Sequence, residues 1–133
     1  MKIITGGRYN GKLEYAVGKL GFSVSEVLDL EKTDINQAVS VINEYPVLYH
    51  LEAFIKNSIS EGIDFNSVID GYTASHRDGV IICDEIGSGV VPAEREDDEW
   101  REAVGRTMCR LAKASGGIIR ITCGIPEELG YAL

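Results

Sequence analysis

Apolar residues arrive in short runs, and most runs are followed by a stretch in which they recur every three or four positions. A run bounded by glycine or proline reads as a buried strand, and the wider spacing reads as one face of a helix. Met1 to Thr5 is such a run, stopped by Gly6 and Gly7. Leu13, Ala16, Val17 and Leu20 then form a helical stripe closed by Gly21. Glu26 to Leu30 predicts a second strand. Asp34 is placed to cap a helix burying Ile35, Ala38, Val39 and Ile42, which Pro46 ends. Val47 to Leu51 predicts a third strand. Phe54, Ile55 and Ile59 predict a helix broken at Gly62, and Asp64 a short one carrying Phe65, Val68 and Ile69. Tyr72 to Gly79 is polar and reads as loop.

Val80 to Cys83 is the most strand-like run, followed by a loop rich in glycine, Gly87, Ser88 and Gly89, and then Pro92. The clearest helix spans about residues 95–114, with Trp100, Ala103, Val104, Thr107, Met108, Leu111 and Ala112 on one stripe. Its start is acidic, from Glu94 to Glu99, and its later turns hold Arg101, Arg106, Arg110 and Lys113, a gradient that suits the helix dipole. Gly116 and Gly117 stop it, and Ile118 to Cys123 predicts a last strand. Strands alternating with helices make βαβ units, so the expected fold is α/β with a mostly parallel sheet, as one domain over residues 1–133. Such sheets bind ligands at the carboxyl ends of their strands.

Composition removes some partners. The 133 residues carry a formal charge of −8 with no run of basic residues. An acidic surface repels nucleic-acid backbones and anionic membranes, so neither is expected as a partner. No apolar stretch is long enough to span a membrane, and Met1 to Thr5 reads as a strand rather than a leader, so a cytoplasmic location is expected. Cys83, Cys109 and Cys123 are far apart and flanked by apolar residues, which predicts buried free thiols rather than a zinc site. His50 lies in an apolar strand and reads as packed, His76 lies in the polar loop, and Trp100 begins a core stripe.

The chemistry concentrates at the first strand–helix junction. Gly6, Gly7, Arg8, Tyr9, Asn10, Gly11 and Lys12 fit G-x-x-x-x-G-K. Glycines let main-chain N–H groups turn toward an anion, and the lysine reaches terminal phosphates as a point charge. The motif follows the first strand and opens an amphipathic helix, as that mechanism requires. The expectation is a three-layer α/β domain of P-loop nucleotide-binding type. Leu13 stands where a Ser or Thr hydroxyl usually holds Mg²⁺. Asp84 and Glu85 end the apolar run from Val80 in the manner of a Walker B element, so either carboxylate is a candidate to position Mg²⁺, with Asp84 the metal residue. Glu52, just past the third strand, lies at the same sheet edge, as a second acid there or as a helix-start carboxylate. Glu31, Lys32 and Thr33 after the second strand are further candidates for contacting nucleotide.

Several segments resemble the adenosylcobinamide kinase / adenosylcobinamide-phosphate guanylyltransferase family of cobalamin biosynthesis. Asp84-Glu85-Ile86-Gly87-Ser88-Gly89-Val90-Val91-Pro92 is similar to that family's N-E-V-G-x-G-I-V-P segment. Trp100-Arg101, Gly105-Arg106 and Arg110-Leu111-Ala112 resemble its F-R-D-x-x-G-R-x-N-Q-x-L-A helix, and Gly124-Ile125 its closing S-G-I. Thr5 to Lys12 resembles T-G-G-x-R-S-G-K-S, and Leu51-Glu52 its L-E-C strand end. The resemblance implies a P-loop NTPase fold, GTP or ATP with Mg²⁺, a cobinamide-type acceptor, kinase-type phosphoryl transfer with Lys12, Asp84 and Glu85 in catalytic roles, and a homotrimer. The chain departs from the family at Leu13, at Asp84 in place of asparagine and at Met108-Cys109 in place of Asn-Gln. No histidine lies between Leu30 and Pro46, where the family carries its guanylyl acceptor, so guanylyl transfer is not expected. The alternative expectation is a nucleotide-binding or assembly protein of the same fold that has lost turnover. No arginine-rich lid insertion is present to suggest a kinase of another class.

Overall fold

A computed structural model describes residues 1–86 and 95–130, the side chains of Arg95 and Glu96 excepted. Its elements are β1 (Lys2–Gly6), α1 (Lys12–Gly18), β2 (Val27–Asp29), α2 (Ile35–Val41), β3 (Val47–Tyr49), α3 (Leu51–Glu61), α4 (Phe65–Ser75), β4 (Val80–Asp84), α5 (Arg95–Ser115), β5 (Gly117–Thr122) and β6 (Ile125–Gly130). The strands form one six-stranded sheet in the order β2-β3-β4-β1-β5-β6. Every neighbouring pair is parallel except the β5–β6 hairpin. The fold is therefore α/β with a mostly parallel sheet. No described helix is long and apolar enough to cross a membrane.

Strand residues alternate between two faces. Ile3, Leu28, Leu48, Ile81 and Cys83 look into a core closed by α2, α3, α4 and α5. Ile4, Val47, Val80, Ile82, Ile119 and Ile121 look the other way, onto Leu13 and Ala16 of α1 with Leu20 and Phe22. Burial on both faces explains why β4 reads as an unbroken apolar run rather than an alternating one. Each fully buried Ile or Leu contributes roughly 1.5–3 kcal/mol of burial free energy.

The caps follow the sequence. Asp34 accepts from the amides of Asn36 and Gln37, Asp64 accepts from Ser67, and Gly62 closes α3 with φ of 69°. Five expectations need correction. β2 loses both ends, because Val24–Glu26 is a 3-10 turn and Leu30 already belongs to the next turn. β3 stops at Tyr49, and Leu51 begins α3. Tyr72 to Ser75 is helix rather than loop: Tyr72 is fully buried, its hydroxyl donates to Tyr45 O at 2.8 Å, and burial pushes its pKa up. β5 spans Gly117–Thr122 rather than Ile118 to Cys123, and β6, which the sequence reading lacked, follows it. Finally, Cys83 is buried but Cys109 and Cys123 are exposed, since one lies on the outer side of α5 and the other in the β5–β6 turn. The glycine-rich segment 87–94 lies outside the described residues.

Register positions the site. Gly6 pairs with Asp84 and Asp29 with Tyr49, so the carboxyl ends of β1, β2, β3 and β4 lie side by side.

Candidate functional site

The loop between β1 and α1 is shaped by steric necessity. Gly6 has φ of 153°, and a Cβ there would sit 2.3 Å from Ile121 O. Gly11 has φ of 91° and caps α1 in the left-handed region. Asn10 donates its amide to Gly7 O at 3.3 Å and accepts from Cys123 N on its side chain at 3.3 Å and from Gly124 N on its carbonyl at 2.9 Å. The first intrahelical bond runs from Tyr15 N to Gly11 O, which leaves the amides of Lys12, Leu13 and Glu14 as the open first turn. α1 has only seven residues, so its dipole is weak. Tyr9 points to solvent, 90% exposed.

Lys12 is the deepest charge in the junction, 2% exposed. Its Nζ donates to Gly7 O at 2.6 Å and lies 2.8 Å from Asp84 Oδ1. That second contact is an ion pair off the line of a hydrogen bond, and Asp84 Oδ1 is buried without a hydrogen-bond donor. Arg8 is half exposed and forks onto Glu31 at 2.8 and 2.9 Å, with Asp84 Oδ2 3.8 Å away. The Arg8 guanidinium holds the Glu31 carboxyl below its ordinary range, and Glu31 in turn raises Arg8. Both cations of the loop are thus matched by the chain's own carboxylates.

His50 was expected to be a packed strand residue. It is buried, but it belongs to the site. It sits in the left-handed region, φ 64° and ψ 55°, where a residue with a side chain is strained. Its Nδ1 lies 2.8 Å from Asp29 Oδ1, its Nε2 faces Asp84 Oδ2 at 3.6 Å and Glu31 Oε2 at 3.8 Å, and its ring stacks on Tyr49. An ionised carboxylate only accepts, so the Asp29 contact fixes the proton on Nδ1. Burial, with the Asp84 charge added, pushes the Tyr49 hydroxyl up to about 12.

The sharp turn at His50 also sets Glu52. Successive amides of β4 point to alternate neighbours, and Glu85 N bonds Gly6 O of β1 at 2.9 Å, so Asp84 N points toward β3. β3 has already ended, and Glu52 Oε1 accepts that amide at 2.7 Å instead. Trp100 of α5 donates its indole N–H to Glu52 O at 2.8 Å, so Trp100 both packs on the core and holds the start of α3. Burial pushes the Glu52 carboxyl up to about 7, opposed by the Asp84 amide and reinforced by the Asp84 charge.

The structure brings Gly6 through Lys12, Glu31 and Asp84 together, with Glu52 directly behind Asp84. Glu85 turns outward to pair with Arg120 at 2.8 Å. Leu13 is half-buried against the core under α1. Lys32 is exposed, and the Thr33 hydroxyl is spent on Asp29 O at 2.8 Å. Asp29 and His50 were missed. The available signal was an acid closing β2 in line with the histidine closing β3. Among the described residues no group of three or more His, Cys, Asp or Glu side chains is arranged to hold a metal ion. No protein-family model matches the chain, and no curated protein matches its sequence.

Proposed function

We propose that the chain binds a nucleoside triphosphate, GTP or ATP with Mg²⁺, through a P-loop at Gly6 to Lys12, and that it carries out kinase-type phosphoryl transfer. The observation that carries this reading is Lys12: a buried ammonium held at the meeting point of four strand ends, with a carboxylate standing where a phosphate oxygen would sit. A triphosphate would replace Asp84 as the partner of Lys12, and the open amides of the loop would receive its remaining oxygens. Asp84, with a buried oxygen lacking a donor, is then the residue that would face the Mg²⁺ brought by the phosphates. Leu13 offers that ion no oxygen. The cobinamide-type acceptor and the homotrimer stand on the family resemblance alone and belong to the same proposal.

A second reading is a nucleotide-binding or assembly protein without turnover. It is favoured by Leu13 and by the self-neutralised state of Lys12 and Arg8. Calorimetry with GTP and ATP, with and without Mg²⁺, tests binding, and phosphate release separates the two readings. Lys12→Ala is combined with Asp84→Asn, because removing one partner of a buried pair alone costs about 3–5 kcal/mol. Uptake by the natural chain and its loss in the double variant is the expected result. No heat from either triphosphate overturns the proposal.

A further inference from the structure

Beside the phosphate loop lies a cavity of about 470 Å³, a volume ordinary for a small-molecule cleft. Trp100 of α5, Ile86 after β4 and Ala53 of α3 make its apolar part. A charge inventory separates its two ends. The carboxylates that border it stand at the strand ends, and each is engaged. Glu31 pairs with Arg8, Asp84 with Lys12 and Glu85 with Arg120, each at 2.8 Å, while Glu52 accepts from the amides of Asp84 and Ala53. Lys56 and Asn57 lie one turn further along α3, about 5.4 Å beyond the level of Glu52 and Ala53, and are exposed. Lys56 is the cation left over. Among the described residues no carboxylate pairs with it, although Glu52 precedes it by one turn on the same helix face. Its ammonium stands 4.9 Å over the Trp100 ring instead. That contact places positive charge and an apolar wall side by side, and it leaves ammonium donors open.

We propose that this cavity binds a second small molecule, one that carries an anionic group, a carboxylate or a phosphate monoester, on a compact apolar body. The anion meets the Lys56 ammonium and the Asn57 side-chain amide at the outer end. The body packs against Trp100 and Ala53. Charge makes the match selective. A neutral molecule of the same shape leaves Lys56 without a partner, and a cation of that shape is repelled by it. The site is separate from the cradle around Lys12, and the inference stands whether or not that cradle takes a triphosphate. Arg8 borders the cavity and belongs to the loop, so the second molecule lies beside any phosphate held there.

Trp100 is the only tryptophan of the chain, so its fluorescence reports on this cavity. Phenyl phosphate and benzoate are the probes, with benzyl alcohol as the neutral control and benzylamine as the cationic one. Both anions should change the emission saturably, at millimolar concentration or below, and neither control should saturate. Lys56→Gln should weaken the anions about fivefold or more, and Lys56→Arg should regain most of that. Ala53→Phe fills the cavity from a half-buried position and should abolish saturation, with a urea melt to show that it folds. The exposed Lys56 variants carry the test if it does not. GTP with Mg²⁺ in excess should leave the midpoints in place. Anions that never saturate overturn the inference, as does benzyl alcohol that binds equally well. Unchanged midpoints in Lys56→Gln or in a folded Ala53→Phe overturn it too. So does displacement by GTP, which would put the probe in the phosphate loop. Anion uptake by a chain that takes up no triphosphate supports this site and overturns only the earlier proposal.

Discussion

β4 and β6 belong to one sheet and have nearly the same length, five and six residues, yet every position of β4 is buried and every position of β6 is exposed. β4 lies between β3 and β1 with apolar side chains packed on both of its faces. β6 is pinned by a single ladder to β5 and closes the sheet's edge with Pro126, Glu127 and Glu128, residues that discourage further pairing. The chemistry follows the burial. A strand locked on both sides holds Asp84 in register with Gly6, 2.8 Å from the Lys12 ammonium. β6, paired on one side only, holds no more than the turn that meets Asn10.

The contrast can be broken at its strong end. Gly6→Ala places a Cβ against Ile121 O in a backbone region disfavoured for L-residues. It should cost at least about 3 kcal/mol of stability by urea denaturation. A loss under about 1 kcal/mol would mean that β1 and β5 can part, and the register argument would fail. Next comes the buried acid behind β4. Glu52 stands near 7 in the folded chain against an ordinary value of 4.5, so the folded protein keeps a proton the unfolded chain has released. Stability should therefore be full below about 4.5 and fall as pH rises to about 7, by on the order of 3 kcal/mol. Glu52→Gln should flatten that slope, seen in urea melts at about pH 5 and about pH 8.

A smaller effect sharpens the comparison from the helix side. Tyr72→Phe removes the bond to Tyr45 O and should cost about 1 kcal/mol in the same assay. At the weak end, Leu129→Lys on β6 should change stability by less than about 0.5 kcal/mol, because Leu129 is already 44% exposed. A large loss there would show that the edge strand covers more than its own backbone.

The same division explains what the sequence made readable. Val80 to Cys83 and the stripe of α5 announce themselves because burial writes apolar residues at a fixed period. Gly6 through Lys12 is readable because steric need for glycine leaves a spaced mark. β6 is not, since Pro126, Glu127 and Glu128 resemble a loop and its strand character comes only from pairing with β5. Tyr72 to Ser75 was misread because Thr73 and Ser75 are polar while one aromatic ring does the packing. The site is split likewise. Lys12 is legible in the glycine spacing, and Glu31, Glu52 and Asp84 at strand ends. The Asp29–His50 contact joins residues 21 positions apart through the register of β2 and β3, which no local pattern encodes.

Asn10 gives the exposed hairpin a consequence out of proportion to its packing. Because Asn10 receives both Cys123 N and Gly124 N, the bend of the hairpin is tethered to the middle of the glycine loop. Anything that tugs on the outermost strand works as a lever on the main-chain cradle around Lys12. Trimming the chain after Thr122 would cut that tether and leave the cradle to find its shape unaided.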